Sequence, residues 1–419
     1  MVEKVKNLIA NTSFQNTVFV SAGVFVASIF SYFVQIYLGR SLSVESYGIF
    51  NTLLSMSVVV GILASTFMTS IVKTVARLKA KNKISELTQL YIDITLVALL
   101  AGFIVSVGVF VLRNNIATFL KIEEVTIISF FAVYMFFAFL QVPPIAYLQG
   151  FLKLKQYALT NVLSSLIRLG VVVVTIFLGY RVGGIYVGLG LASVLSFTVY
   201  TLVLKSGFTS FTRQDLREHY KGVLLFAGPV LFVQIGMILL NNVDIILVKH
   251  YFDGYSAGLY AGLVTVSKVF LFAANTIAVA MFPQISAAFS EKKDYMRKFS
   301  FFLKIQLLVI GIGLLVFKLF PGLIVQLMFG DIYMPTVTYL PKFVLFFGFY
   351  VLLNFMTLFL LAVEKTKVFL LQIPAILVQV VLISFFHSSI DQVINMNLIT
   401  AAVLLVGVSI YSFTVLRST

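Results

Sequence analysis

The chain has 419 residues, of which 60% are hydrophobic and 11% charged, with a mean hydropathy of +1.06. A soluble globular protein is about half apolar and about a quarter charged, so this composition excludes a cytosolic enzyme, a secreted domain and a disordered protein. The formal charge of +15, from 30 Lys and Arg against 15 Asp and Glu, reads in such a chain as a cationic bias of one set of loops and not as a nucleic-acid footprint.

Apolar runs of about twenty residues recur along the chain, twice the length of a barrel strand, so the spans are helices. Twelve are expected, at 17–38, 49–70, 89–112, 125–148, 158–179, 183–204, 223–249, 258–281, 302–320, 337–363, 367–387 and 393–415. The first 16 residues are polar and basic, and the run after them is too long for the apolar core of a cleavable signal peptide. The connections are short; the longest, 205–222 and 283–301, hold at most a small surface helix each.

Charge placement tests the count. With the N-terminus inside and the sides alternating, the inner segments collect twenty-one cations, most of them in 73–83, 205–221 and 292–304. The outer segments hold seven: Arg40, Arg113, Lys121, Arg181, Lys249, Lys318 and Lys342. A missed helix would invert the bias downstream, so an even number of spans is expected, with both termini on the cytoplasmic side of a cell inner membrane.

The chain also repeats itself. Gly39 to Gly48 (GRSLSVESYG) joins the first two spans, and Lys249 to Gly258 (KHYFDGYSAG) joins the seventh and eighth, 210 residues later. Each is followed by a span and then a basic inner loop. Six spans per half keep both halves in one orientation, so this is a parallel repeat about an axis along the membrane normal, which places a substrate path between the halves. The expected fold is therefore an all-α polytopic membrane protein. Its two six-helix lobes, 1–210 and 211–419, are related by a pseudo-two-fold axis.

These residues resemble a known family. Leu38 to Phe50 (LGRSLSVESYGIF) is similar to the first loop of the polysaccharide biosynthesis (Wzx-type oligosaccharide flippase) family. Asp244 to His250 (DIILVKH), Ala257 to Ala261 (AGLYA) and Met281 to Ser286 (MFPQIS) resemble the start of its second half. That family belongs to the multidrug/oligosaccharidyl-lipid/polysaccharide exporter superfamily. The resemblance implies two six-helix lobes and a lipid-linked oligosaccharide as substrate. It also implies a membrane setting shared with a polysaccharide polymerase and glycosyltransferases.

The residues that cost most to place in lipid are the informative ones. Arg168 falls about ten residues into the fifth span, near mid-depth. Asn161, Ser164, Ser165 and Arg168 recur at helical spacing as one polar stripe. Lys268 reaches a similar depth in the eighth span, with Asn275 seven residues on along the same face. Two mid-depth cations without a nearby acid point to an anionic ligand, the guanidinium suiting a phosphate and the ammonium acting as a point charge. Snorkelling or a structural pairing is the bland reading of each. Asp244 is the deep acid of the second half; Gln234, Asn241 and Asp244 lie within about 80° on a helical wheel. That face reads as the holder of a coupling proton or sodium ion, or as the counter-charge of Lys268. Gln35 lies at a matching height in the first half and reads as an interhelical hydrogen bond or a substrate contact. Pro143, Pro144, Pro229 and Pro374 punctuate spans.

Catalytic patterns are missing. With no cysteine and with His219, His250 and His387 far apart, neither a metal site nor a thiol nucleophile is expected, and no cofactor. No Gly-rich phosphate loop follows a strand, so no ATP hydrolysis is expected. The reading is a transporter that flips a polyprenyl-pyrophosphate-linked oligosaccharide by alternating access. The competitors are a multidrug/cation antiporter of the same superfamily, a membrane glycosyltransferase opposed by the short loops, and a non-transporting member of a polysaccharide assembly complex.

Overall fold

The computed structural model describes residues 12–205, 231–292 and 294–417. In chain order the helices are α1 Thr12–Ser41, α2 Val44–Ala80, α3 Ile84–Val111, the short α4 Arg113–Phe119, α5 Thr126–Ala138, α6 Val142–Gly150, α7 Leu154–Phe177 and α8 Val182–Leu204. After the undescribed 206–230 come α9 Leu231–Leu240, α10 Val243–Tyr251, α11 Gly254–Ser290, α12 Tyr295–Leu319, the short α13 Pro321–Phe329, α14 Leu340–Ala362, α15 Phe369–Phe385 and α16 Ile390–Arg417. Among the described residues, eleven helices are long and apolar enough to cross a membrane, and the bent pair α9–α10 makes a twelfth. The protein is a multi-pass membrane protein.

Two expectations about boundaries need correction. The basic connections are shorter than the composition implied, because charged residues continue the helices instead of ending them. α2 runs to Ala80 and carries Lys73, Arg77 and Lys79, and α11 runs through Pro283 to Ser290. Membrane helices tolerate such a proline because neighbours satisfy the freed carbonyl. The seventh span, read as one helix over 223–249, is broken at Asn241–Asn242 with a 43° bend. Pro229 lies outside the described residues. Pro143 and Pro144 start α6 after a 3₁₀ turn, Phe139–Gln141, and Pro374 lies within α15.

The chain forms two compact units: Met1–Ser41 with Val60–Val230, and Leu42–Val59 with Leu231–Thr419. The first turns of α2 thus group with the second unit. The expected lobe boundary at 210 lies outside the described residues.

Backbone geometry carries the repeat beyond the two loops that announced it. Left-handed residues punctuate equivalent turns: Asn82 and Lys292 are 210 apart, Lys121 and Gly330 209, Leu152 and Glu364 212. The short α4 is matched by the short α13. In the first unit α1 packs on α7, where a Cβ on Gly23 would lie 2.6 Å from that of Ala158, and α5 and α7 pack on α8. Such close approaches give helices contact without a hydrophobic driving force. In the second unit α11 packs on α14, and α14 on α16. There the repeat-equivalent glycines meet each other: a Cβ on Gly48 would lie 2.8 Å from the Cα of Gly258, and one on Gly258 would run into the Val44 carbonyl oxygen.

Candidate functional site

The second unit encloses a polar network around Asp244. The break at Asn241–Asn242 ends α9 and puts Asp244 in the first turn of α10, where the free amides of a helix start favour a carboxylate. α10 packs against α11, α15 and α16, and each supplies a side chain to the network. Tyr260 of α11 donates its hydroxyl to Asp244 Oδ2 at 2.6 Å, and Asn397 of α16 donates Nδ2 to the same oxygen at 3.1 Å. Asn397 Nδ2 also lies 3.0 Å from the Tyr260 hydroxyl. Gln379 of α15 donates Nε2 to Asn397 Oδ1 at 2.9 Å and to the Leu240 carbonyl at 3.1 Å. Asp244 is 2% exposed, and Tyr260, Gln379 and Asn397 are wholly buried.

The donors are all spent on one side of this network. Asp244 Oδ1, Asn241 Oδ1 and Gln379 Oε1 are buried acceptors without a hydrogen-bond partner. A buried acceptor left unpaired costs about 1–3 kcal/mol. The deficit is of positive charge or of hydrogen. An unpaired carboxylate oxygen beside unpaired amide oxygens can accept a proton or a monovalent cation.

The expected residues sort as follows. Gln234, Asn241 and Asp244 do not form one continuous helical face, because the break at Asn241–Asn242 resets the helix; Asn241 and Asp244 nevertheless stay at one place, and Gln234 is half-buried on α9. The direct partners of Asp244 are Tyr260 and Asn397, and among the described residues no ion pair joins it to Lys268. The two charges act on each other through space. Lys268 is half-buried on α11. Asn275, seven residues on, accepts from Asn354 Nδ2 at 3.1 Å, which ties α11 to α14. Lys249, counted among the outer cations, is buried at 2% exposure.

In the first unit the polar stripe on α7 faces α8. Ser164 donates to Ser196 at 2.7 Å, and the Tyr200 hydroxyl donates to Asn161 Oδ1 at 3.5 Å. Ser165 turns back to the Val162 carbonyl at 2.7 Å. Arg168 extends the stripe, half-buried and within electrostatic reach of Tyr200. Among the described residues neither Arg168 nor Lys268 makes a hydrogen bond or an ion pair. Gln35 is half-buried on α1. Among the described residues no three His, Asp or Glu side chains cluster as a metal site would need.

Tyr260, Gln379 and Asn397 were not singled out from the sequence. Their signal was present: a tyrosine inside the motif after the second-half loop, and amides in otherwise apolar spans, Gln372 and Gln379 recurring at helical spacing.

The polysaccharide biosynthesis protein family matches residues 13–289, about two thirds of the chain. The chain belongs to that family. No curated protein matches it in sequence. As a polysaccharide biosynthesis protein it shares its fold with solved membrane transporters. A multidrug resistance MATE family transporter of the MOP superfamily, in an inward-facing conformation, superposes with a TM-score of 0.77 at 15% identity, covering 96% of this chain and 99% of that one. The lipid II flippase MurJ, in an inward closed conformation, gives 0.73 at 15% identity, over 95% and 87%. A MOP superfamily transporter from Pyrococcus furiosus gives 0.65 at 14% identity, over 94% of each. The fold inferred from loops and charge is thus the MOP superfamily fold.

Proposed function

We propose that this protein transports a lipid-linked oligosaccharide from the inner to the outer leaflet of the cytoplasmic membrane by alternating access, with Arg168 of the first unit and Lys268 of the second each a candidate contact of its anionic pyrophosphate head group. The observation that carries the reading is the state of those two cations. Each sits half-buried in a membrane-crossing helix, and among the described residues neither has a hydrogen-bond or ion-pair partner. A cation in that position costs about 2.5–3.5 kcal/mol on insertion scales, and an anionic ligand offsets the cost. Family membership supports a glycan substrate, and the fold shared with a lipid II flippase supports a lipid-linked one. Asn161, Gln35 and Asn275 are the polar residues offered to the sugar, and Asp244 with Asn241 and Gln234 to the coupling proton or cation.

The test is neutralisation in a complementation or vesicle flipping assay. Arg168→Gln and Lys268→Gln should each lose roughly ten- to a hundredfold in head-group binding, the value of a charge-assisted hydrogen bond of about 1.5–3 kcal/mol. Lys268→Arg should retain much of the activity, provided expression is equal. Full complementation by the double Gln variant would sink the anion mechanism.

A second reading rests on the buried acid and on the MATE fold match: a cation/drug antiporter in which Asp244 receives the drug. Uptake of a cationic dye that depends on Asp244, with Arg168 and Lys268 dispensable, would favour it.

A further inference from the structure

We propose that the turn around Leu152, at the end of the first unit that carries its basic turns, is a binding site for the head group of an anionic phospholipid, with the leucine anchored in the acyl layer.

The argument starts from an anomaly in backbone geometry. The turn that follows α6 has Leu152 in the left-handed region, at φ 53°. A bulky residue there crowds its own carbonyl, and glycine or asparagine is the ordinary occupant. The repeat supplies the comparison. The equivalent left-handed positions at the basic turns are Asn82, Lys292 and Glu364, all polar and all exposed, as a turn facing water requires. Leu152 departs from that set, and its side chain is not repaid by packing, because it is 69% exposed. The fold therefore does not explain the leucine. Among the described residues nothing packs over it, which leaves the side chain open to lipid.

The charges around it name the kind of lipid. Lys79, at the end of α2, donates to the Phe151 carbonyl and lies 5.8 Å from the Phe151 ring centroid. Lys153 lies 5.9 Å from the same centroid. Lys155 is exposed two residues further on. Two ammonium groups thus converge on one buried ring beside an exposed leucine, and the bond from Lys79 puts the Asn82 and Leu152 turns at one end of the unit. The platform beneath is fixed: Ile71, Val75, Leu78, Tyr147 and Leu148 pack there as one buried cluster with Phe151. At the nearby start of α3, Ile84 is also exposed, at 43%, next to Lys81 and Lys83. Cations beside an exposed apolar side chain make the pattern of an interfacial anchor. Anionic head groups attract such clusters more than neutral ones do. A phosphate alone would account for the lysines but not for the leucine, so the ligand is a lipid.

The chain has no cysteine, so a Leu152→Cys variant of the full-length protein carries a spin label at one place. In proteoliposomes containing phosphatidylglycerol the label should lie in the acyl layer, more accessible to oxygen than to a water-soluble nickel complex. In phosphatidylcholine alone, or after Lys79→Gln, Lys153→Gln and Lys155→Gln, it should move towards water. A label at Asn82→Cys should stay in water throughout. Native mass spectrometry supplies a second readout: the Leu152→Asn protein should retain about tenfold less phosphatidylglycerol, with phosphatidylcholine unchanged. A Leu152 label in water in every vesicle, or equally inserted with and without the lysines, would overturn the proposal. Displacement of the label by inorganic pyrophosphate would assign the site to a soluble phosphate instead and overturn it as well.

Discussion

The two halves of this chain share a scaffold and divide the chemistry. Left-handed turns, short helices and glycine loops recur at a spacing of 209 to 212 residues. The polar network does not. At a spacing of 210, Asp244 and Tyr260 of the second half correspond to Val34 and Phe50 of the first. At the spacing of 212 that holds after residue 152, Gln379 and Asn397 correspond to Ile167 and Ile185. Lys268 corresponds likewise to Val58, and Arg168 to Val380. Each costly group has an apolar counterpart that shows what the fold requires at that height. The acid, the three other side chains of its network and the two cations are therefore additions to the scaffold, and function is the place to look for their cause.

Exchanging counterparts tests that comparison, beginning with the largest expected effect. Val34 is buried at 4% exposure, and its neighbours in the repeat lack the donors that Asp244 has. Val34→Asp should cost about 3 kcal/mol or more, read as a lower midpoint in thermal unfolding followed by tyrosine fluorescence in detergent. A cost near zero would show that the first unit also provides for an acid there, and the asymmetry would fail.

In the second unit, Asn397→Ile removes the Nδ2 donor to Asp244 and leaves Gln379 Nε2 with only the Leu240 carbonyl. The expected loss is about 2–3 kcal/mol, that of a hydrogen bond to a charged group. Tyr260→Phe removes only the hydroxyl that donates to the same oxygen and should cost about 1.5 kcal/mol. Because both residues serve one carboxylate, the double variant should depart from additivity, and a double-mutant cycle in the same unfolding assay measures by how much. Strict additivity would mean that the two bonds do not share Asp244.

The smallest effect lies outside the spans. Asp253 caps α11 by accepting from the Ser256 amide at 2.9 Å, and the hydrogen bonds from Ser256 hold its carboxyl below the usual carboxylate range. A lowered folded value means that the stabilisation is complete at neutral pH and fades only as pH falls through that value. Asp253→Ala should cost about 0.5 kcal/mol at pH 7, the low end for an exposed cap, and less at pH 3. An undiminished difference at pH 3 would assign the cap to something other than charge.

Much of this was legible in the sequence. Run length and charge alternation give the spans and an even count, and two loops 210 residues apart give the repeat. Arg168, Lys268 and Asp244 stand out because ionisable groups in apolar runs are expensive. What the sequence hides has physical causes. In a span that is apolar all round, periodicity does not say which face meets which helix, so Tyr260, Gln379 and Asn397 could not be assigned to Asp244. The break at Asn241–Asn242 carries no proline or glycine, so the helical wheel through Gln234, Asn241 and Asp244 treated two helices as one. The lysines of α2 looked like a loop because charge in water does not distinguish a loop from a helix that has left the membrane.

The measurement closest to the central claim is flipping of a polyprenyl-pyrophosphate-linked oligosaccharide by purified protein in proteoliposomes, with and without an imposed proton or sodium gradient, for the wild type and Asp244→Asn. The account expects the wild type to flip faster with one of the gradients. Asp244→Asn should bind the substrate as well as the wild type does but flip it at a rate that ignores the gradient. Unchanged gradient dependence in the variant would reduce Asp244 to a structural role, and no flipping by the wild type under any gradient would contradict the transport reading itself.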